Sequence, residues 1–172
     1  MATECKEFHP YPYQQFCIQH IIDHPVAGLF VDMGMGKTVM TLTAFNYLKY
    51  YAWQIQRCLV IAPKKVAEAT WRTEISGWQH LRHLRCSEVL GTATQRRAAM
   101  AVDADVYVTN RDNVQWLVKE YGKAWPFDMV VLDESSSFKN HQAKRFKALR
   151  AMRPKIKRIV ELTGTPSPHG LM

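Results

Sequence analysis

Residues 28–38 read GLFVDMGMGKT. The first part, 28–32, is apolar and of strand length. The remainder holds Gly34 and Gly36 on either side of Met35, then Lys37 and Thr38, and opens onto an amphipathic run, 37–51. A strand, a glycine-rich turn and a helix in that order make a phosphate-binding loop. Glycines let the backbone turn tightly and aim N–H groups at phosphate oxygens, and the helix adds its positive dipole end. In such a loop Lys37 would reach the β- and γ-phosphates, and the hydroxyl of Thr38 would ligate Mg²⁺. The general pattern G-x-x-x-x-G-K-[ST] places glycine at position 31, where this chain has Val31; the G-x-G-K-T core is intact.

Working outward, short apolar runs alternate with longer amphipathic ones. Strands are expected at 28–32, 58–62, 87–90, 105–109, 129–133 and 158–163. Helices are expected at 13–23, 37–51, 66–77, 94–101, 112–121 and 141–152. Several strand runs are rich in Val, Ile and Leu and apolar on both faces, which is the pattern of parallel strands covered by helices. The expectation is a three-layer α/β P-loop domain with a mostly parallel sheet. Ligands of such sheets bind beyond the carboxyl ends of the strands.

One of those ends carries two carboxylates. Residues 127–137 read FDMVVLDESSS, so an apolar strand closes on Asp133 and Glu134. Adjacent carboxylates there are costly unless they are solvated or serve an ion. Nucleotide hydrolysis explains both: Asp133 holds Mg²⁺ through its water shell, and Glu134 orients and deprotonates the attacking water.

Composition narrows the class. Of 172 residues, 47% are hydrophobic and 22% charged, which excludes a disordered chain. No apolar run approaches the roughly 18 residues of a membrane span. The first residues, MATECKEFHP, hold no apolar signal core, so export is not expected. Cys5, Cys17, Cys58 and Cys86 are scattered without a C-x-x-C pair, which fits a reducing cytoplasm. His20 and His24 sit at i, i+4 with no obvious third ligand, and read as polar positions on a helix face. Trp71 and Trp78, seven apart, read as a core stripe rather than base-stacking platforms.

The net charge of +8 is local. Residues 1–138 hold 14 basic and 14 acidic side chains; residues 139–172 hold 9 basic ones and only Glu161. Such an imbalance points to a polyanion, to a further protein surface or to a solvated basic helix.

These residues resemble the first RecA-like lobe of superfamily-two helicase-like ATPases, most of all the Swi/Snf-related DNA translocases and their small phage and prophage members. The resemblance covers nearly the whole chain, 1–172, with motifs in the family's order. YPYQQ at 11–15 is similar to the Q motif, where Gln14 would read the adenine edge. DMGMGKT resembles motif I. The stretch LVIAPKKVAEATWRTEISGW at 59–78 resembles motif Ia and the segment after it, with the DNA backbone near Pro63. VYVTNRDNV at 106–114 stands where a second DNA-contacting motif lies, with TNRDN in place of Thr-Tyr-Glu. DESS resembles the DEAD/DEAH box, with Ser135 in place of Ala or an aromatic residue. FKNHQAKRFKAL at 138–149 is similar to the Lys-Asn segment. LTGTP at 162–166 resembles motif III, whose Thr163, Gly164 and Thr165 would couple the ATP site to DNA.

The resemblance implies a Mg-ATP-dependent ATPase that moves along duplex DNA without reading its sequence. Candidate phosphate contacts are Lys64, Lys65, Lys139, Lys144, Arg145 and Lys147. It also implies a second RecA-like lobe carrying an arginine finger. The sequence stops at Met172, just after motif III, so the expectation is an excised or truncated lobe that binds ATP and turns it over poorly. Two other readings stand beside this one: the ATPase lobe of a terminase-type packaging enzyme, and a non-enzymatic lobe that binds DNA or a partner.

Overall fold

The structure is a computed structural model that describes residues 4–32, 34–133 and 143–164, with the backbone alone for 143–146. Six strands form one sheet: β1 (Val26–Phe30), β2 (Cys58–Ala62), β3 (Cys86–Glu88), β4 (Val106–Asn110), β5 (Met129–Asp133) and β6 (Arg158–Thr163). Their spatial order is β1-β6-β5-β2-β4-β3, and every pairing is parallel. The helices are α1 (Pro12–Asp23), α2 (Lys37–Tyr50), α3 (Lys64–Gly77), α4 (Ala93–Ala101), α5 (Val114–Tyr121) and α6 (Ala143–Ala151).

The central strands β2, β4 and β5 are buried on both faces, which is why they read as continuous apolar runs. Along β2, Cys58, Val60 and Ala62 pack with α1, α2 and α3, through Ile21, Phe45 and Trp71 among others. The alternate residues Leu59 and Ile61 pack on the other face with Leu117 of α5 and Leu149 of α6, and Ala99 and Met100 of α4 join them. The period-2 alternation of β-structure thus divides one apolar run between two cores.

Several boundaries differ from the sequence reading. β1 spans Val26–Phe30 rather than 28–32, because Val31 and Asp32 already belong to the loop. β3 is Cys86–Glu88 rather than 87–90, and β4 begins one residue later than expected. The expected helix from 112 opens as a 3₁₀ turn, Arg111–Asn113, before α5. α3 starts at Lys64, directly after Pro63, a residue suited to a helix start by its fixed φ.

β6 sits between β1 and β5 although it comes last in the chain. Phe30 pairs in register with Thr163, and Leu162 with Asp133. The loop after β1, the end of β6 and Asp133 therefore share the carboxyl edge of three adjacent strands. At the opposite edge Asp105 is buried and accepts hydrogen bonds from Lys49 Nζ, Tyr50 Oη (2.9 Å) and the Arg85 N–H (2.7 Å).

Candidate functional site

Gly34 and Gly36 both take left-handed backbone, at φ +84° and +88°. A Cβ on Gly34 would meet open space, so the backbone angle alone requires glycine there. At Gly36 a Cβ would also come within 2.7 Å of Gln14 Nε2. Gly36 is the N-cap of α2, so the loop ends where the first N–H groups of that helix are without helical partners.

α1 braces the loop. Met35 C=O accepts from Tyr13 Oη at 2.7 Å and from Gln14 Nε2 at 3.3 Å. The other end of the Gln14 amide, Oε1, accepts from the Tyr11 N–H at 2.9 Å. Gln14 is buried, so one amide ties the start of α1 to the middle of the loop. Lys37 and Thr38 begin α2 and are half-buried. Among the described residues Lys37 has no ion-pair partner.

Asp133 ends β5 at 7% exposure. Its Oδ2 accepts from Trp71 Nε1 at 3.1 Å, and its main-chain oxygen accepts from Arg111 Nη2 at 3.3 Å. Trp71 is in the core as expected, at 1% exposure, yet its one polar atom faces the acidic end of the strand. Nothing in the sequence spacing signalled that bond, which joins residues 62 apart. Trp78 departs from the expected stripe: it lies one residue beyond the end of α3 and is only partly buried.

The remaining site candidates fall in three groups. Thr163 is buried at the end of β6, with Gly164 just after it. Pro63 caps α3 at the carboxyl edge, and Lys64 and Lys65 are exposed on its first turn. Lys147 is exposed on α6, while Lys144 and Arg145 belong to the same helix with only their backbone described. Glu134, Lys139 and Thr165 lie outside the described residues.

Part of the basic excess is structural rather than a free surface. Arg158 is buried, its guanidinium donating to Ile21 O at 2.8 Å, Ile22 O at 2.9 Å and Gln54 Oε1 at 2.8 Å. Arg153 donates to Ile156 O, and Lys155 to Gly122 O and Lys123 O. His20 and His24 lie with ring centroids 4.3 Å apart, and His24 Nδ1 is 2.8 Å from His20 O.

A cleft of about 560 Å³ opens between the loop, the start of α1, residues 6–9 and the end of α3. That volume is within the roughly 300–1,000 Å³ usual for small-molecule sites. Its outer wall was not read from the sequence. Lys6 N–H donates to Gly77 O, and Gln79 N–H to Lys6 O, both at 2.9 Å, so the N-terminal segment bridges to Trp78. Phe8 packs edge-on against Trp78 (centroids 5.3 Å) and stacks on His80 (5.1 Å). Burial, with the nearby His83, pushes the His80 pKa down. His80 Nε2 lies 2.8 Å from Thr43 Oγ1, whose hydroxyl donates to Val39 O.

The arrangement fits a nucleotide and Mg²⁺. Left-handed glycines, a helix N-terminus and an unpaired lysine among the described residues suit phosphates. Mg²⁺ is typically bound by one or two carboxylates together with substrate phosphates, and Thr38 and Asp133 offer the matching oxygens.

Comparison with known proteins agrees with this geometry. The SNF2-related domain matches residues 13–172. The chain belongs to the SNF2-related family. Across 97% of its length it is 41% identical to putative protein p41 of Acyrthosiphon pisum secondary endosymbiont phage 1, of which it covers 38%. It is 29% identical to the human SWI/SNF-related matrix-associated actin-dependent regulator of chromatin subfamily A member 1, over 88% of the chain and 14% of that protein. The SNF2-related chain thus spans well under half of these relatives. Among solved structures, the Sulfolobus solfataricus SWI2/SNF2 ATPase core in complex with dsDNA superposes with a TM-score of 0.76. That pair shares 29% identity over 90% of this chain and 32% of the other. The UvsW helicase of bacteriophage T4, at 17% identity over 95% of this chain and 55% of that one, shares the fold (TM-score 0.73). The fold is therefore the RecA-like helicase lobe, and its family is one of helicase-like ATPases. No helix among the described residues is long and apolar enough to cross a membrane.

Proposed function

We propose that residues 1–172 form a single ATP-binding lobe of a DNA-dependent, Swi/Snf-type translocase that works with a second RecA-like lobe. The observation that carries this reading is the loop itself: two left-handed glycines at the N-terminus of α2, followed by Lys37 without an ion-pair partner among the described residues. ATP supplies the phosphoryl group to be transferred, and Mg²⁺ neutralises charge on it.

The chain's own residues do the rest. Gly34 and Gly36 present backbone to the phosphates on either side of Met35, whose N–H donates to Asp32 O (3.2 Å), and Lys37 adds a point charge there. Thr38 and Asp133 hold the metal, Asp133 being oriented by the Trp71 N–H. Gln14 reads the adenine edge while it braces the loop. Glu134 orients and deprotonates the attacking water. Thr163, which ends β6 between β1 and β5, couples that chemistry to DNA together with Gly164 and Thr165. Pro63, Lys64, Lys65, Lys139, Lys144, Arg145 and Lys147 are the candidate contacts to phosphates of duplex DNA. Likeness at 29% identity to an ATPase core bound to dsDNA supports that partner. Without the arginine finger of a second lobe, which contributes about 10³–10⁵ in rate, turnover by this lobe is slow.

Binding of a fluorescent ATP analogue tests the reading. Lys37→Ala is expected to weaken Mg-dependent binding about tenfold to a hundredfold, the scale of one or two charge-assisted hydrogen bonds. Equal binding by wild type and Lys37→Ala would overturn it.

A further inference from the structure

The cleft extends past the phosphate loop, and of the two acidic side chains that line it Glu7 is exposed beside His9 (3.5 Å), while Glu74 is partly buried. Glu74, on the last turn of α3, lines the same cleft as Lys37 and Thr38. Its Oε2 accepts from Trp78 Nε1 at 2.6 Å. Trp78 is itself fixed, by the edge-on contact with Phe8 and by the backbone bridge to Lys6. Cys5 Sγ donating to Ser76 O and Gln79 Nε2 donating to Cys5 O fasten the same segment along the end of α3. The carboxylate is therefore held in one orientation, and among the described residues its second oxygen accepts no hydrogen bond.

A carboxylate beside a phosphate site needs a reason, because it repels the phosphates that the loop attracts. Ionised, it is an acceptor only, so the ligand atoms it favours are donors. In a nucleotide the group bonded directly to the phosphates is the sugar, with hydroxyl donors. A wall that flanks the phosphate loop within one cleft meets that sugar before it meets the base.

We infer that Glu74 is a specificity-determining residue that accepts a hydrogen bond from a ribose hydroxyl of the bound nucleotide, with Trp78 and the segment 5–9 as its positioning support. The inference rests on the nucleotide reading of the site and deepens it. Residues 5–9 then serve as the sugar-side wall of the site as well as an N-terminal clamp.

The test is equilibrium binding of ATP, 2′-deoxy-ATP, 3′-deoxy-ATP and inorganic tripolyphosphate, with Mg²⁺, to the full chain. Wild type is expected to prefer ATP about tenfold over at least one deoxy analogue, the worth of one hydrogen bond to a charged group. Glu74→Ala is expected to bind ATP and both analogues alike while binding tripolyphosphate at least as tightly as wild type. That last arm also reports that the variant is folded; if it fails, Glu74→Gln, of nearly the same shape, is read in its place. Trp78→Phe, which removes only the orienting N–H and some ring area, is expected to reduce the preference partway. Wild type without a sugar preference overturns the inference, as does a preference that survives in Glu74→Ala and Glu74→Gln. If Lys37→Ala still weakens binding in either case, the nucleotide site stands and only the role of Glu74 falls. If Lys37→Ala binds tripolyphosphate as wild type does, the nucleotide reading falls with it.

Discussion

At the amino edge of the sheet Asp105 is 1% exposed, and three donors, Lys49 Nζ, Tyr50 Oη and the Arg85 N–H, converge on it. At the carboxyl edge Lys37 stands half-buried with no ion-pair partner among the described residues, behind two glycines in left-handed backbone. Burial alone would raise the Asp105 pKa, but the hydrogen bonds and the Lys49 charge outweigh it, and the pKa is lowered. The same cluster raises that of Tyr50 to about 12, through burial first and the Asp105 hydrogen bond second. One edge therefore answers its charges internally and contributes stability. The other keeps a charge without an ion-pair partner among the described residues, behind a turn that only glycine makes readily, for a ligand.

If that division is right, substitutions at the two edges separate cleanly. The largest effect is expected for Asp105→Ala, which strands the Lys49 ammonium in a mostly buried site and removes an acceptor from three donors. Breaking a buried pair in this way costs about 3–5 kcal/mol. It should be read as a fall in the urea midpoint at unchanged slope. Lys37→Ala in the same assay should move stability by less than about 0.5 kcal/mol. Comparable losses from the two variants would break the comparison.

Trp71→Phe tests the one place where fold and site share a bond. Losing the hydrogen bond to the Asp133 carboxylate should cost about 1.5–3 kcal/mol, less than Asp105→Ala. A loss as small as that of Lys37→Ala would mean that Trp71 serves the site alone. The smallest effect concerns His80, stacked under Phe8 at the cleft wall. Its folded pKa is lowered, so below the ordinary value of about 6.5 the unfolded chain takes up the proton first. Stability therefore falls as pH drops from about 6.5 toward the folded pKa and is unaffected above it. Urea midpoints between pH 7.5 and 5 should decline less in His80→Gln than in wild type.

The sequence made the two edges unequally legible. The phosphate loop was readable because its chemistry needs a fixed order of residue types over a few positions. The central strands β2, β4 and β5 were readable because burial on both faces leaves apolar runs, whereas β1 and β3, at the sheet edges and less buried, were read with shifted bounds. The spatial order of the strands was not readable, since nothing in the run at 158–163 says that it inserts between 26–30 and 129–133. The Trp71–Asp133 bond and the bridge from Lys6 to Trp78 escaped for the same reason: they join residues 62 and 72 positions apart that carry no shared pattern. Asp105 was read as the first residue of an apolar strand, and only its position at the amino edge of β4 shows it as an anchor.

The central place of β6 also bears on how the chain is assembled during synthesis. Until residues 158–163 have emerged, β1 has no neighbour in the sheet, and β5 presents an open apolar flank. The contacts that close this gap are among the most distant in sequence, Val26 with Ile159 for example, so they form late and slowly. A nascent chain that stalls before residue 158 would expose two unpaired strand edges, the kind of surface on which other chains aggregate.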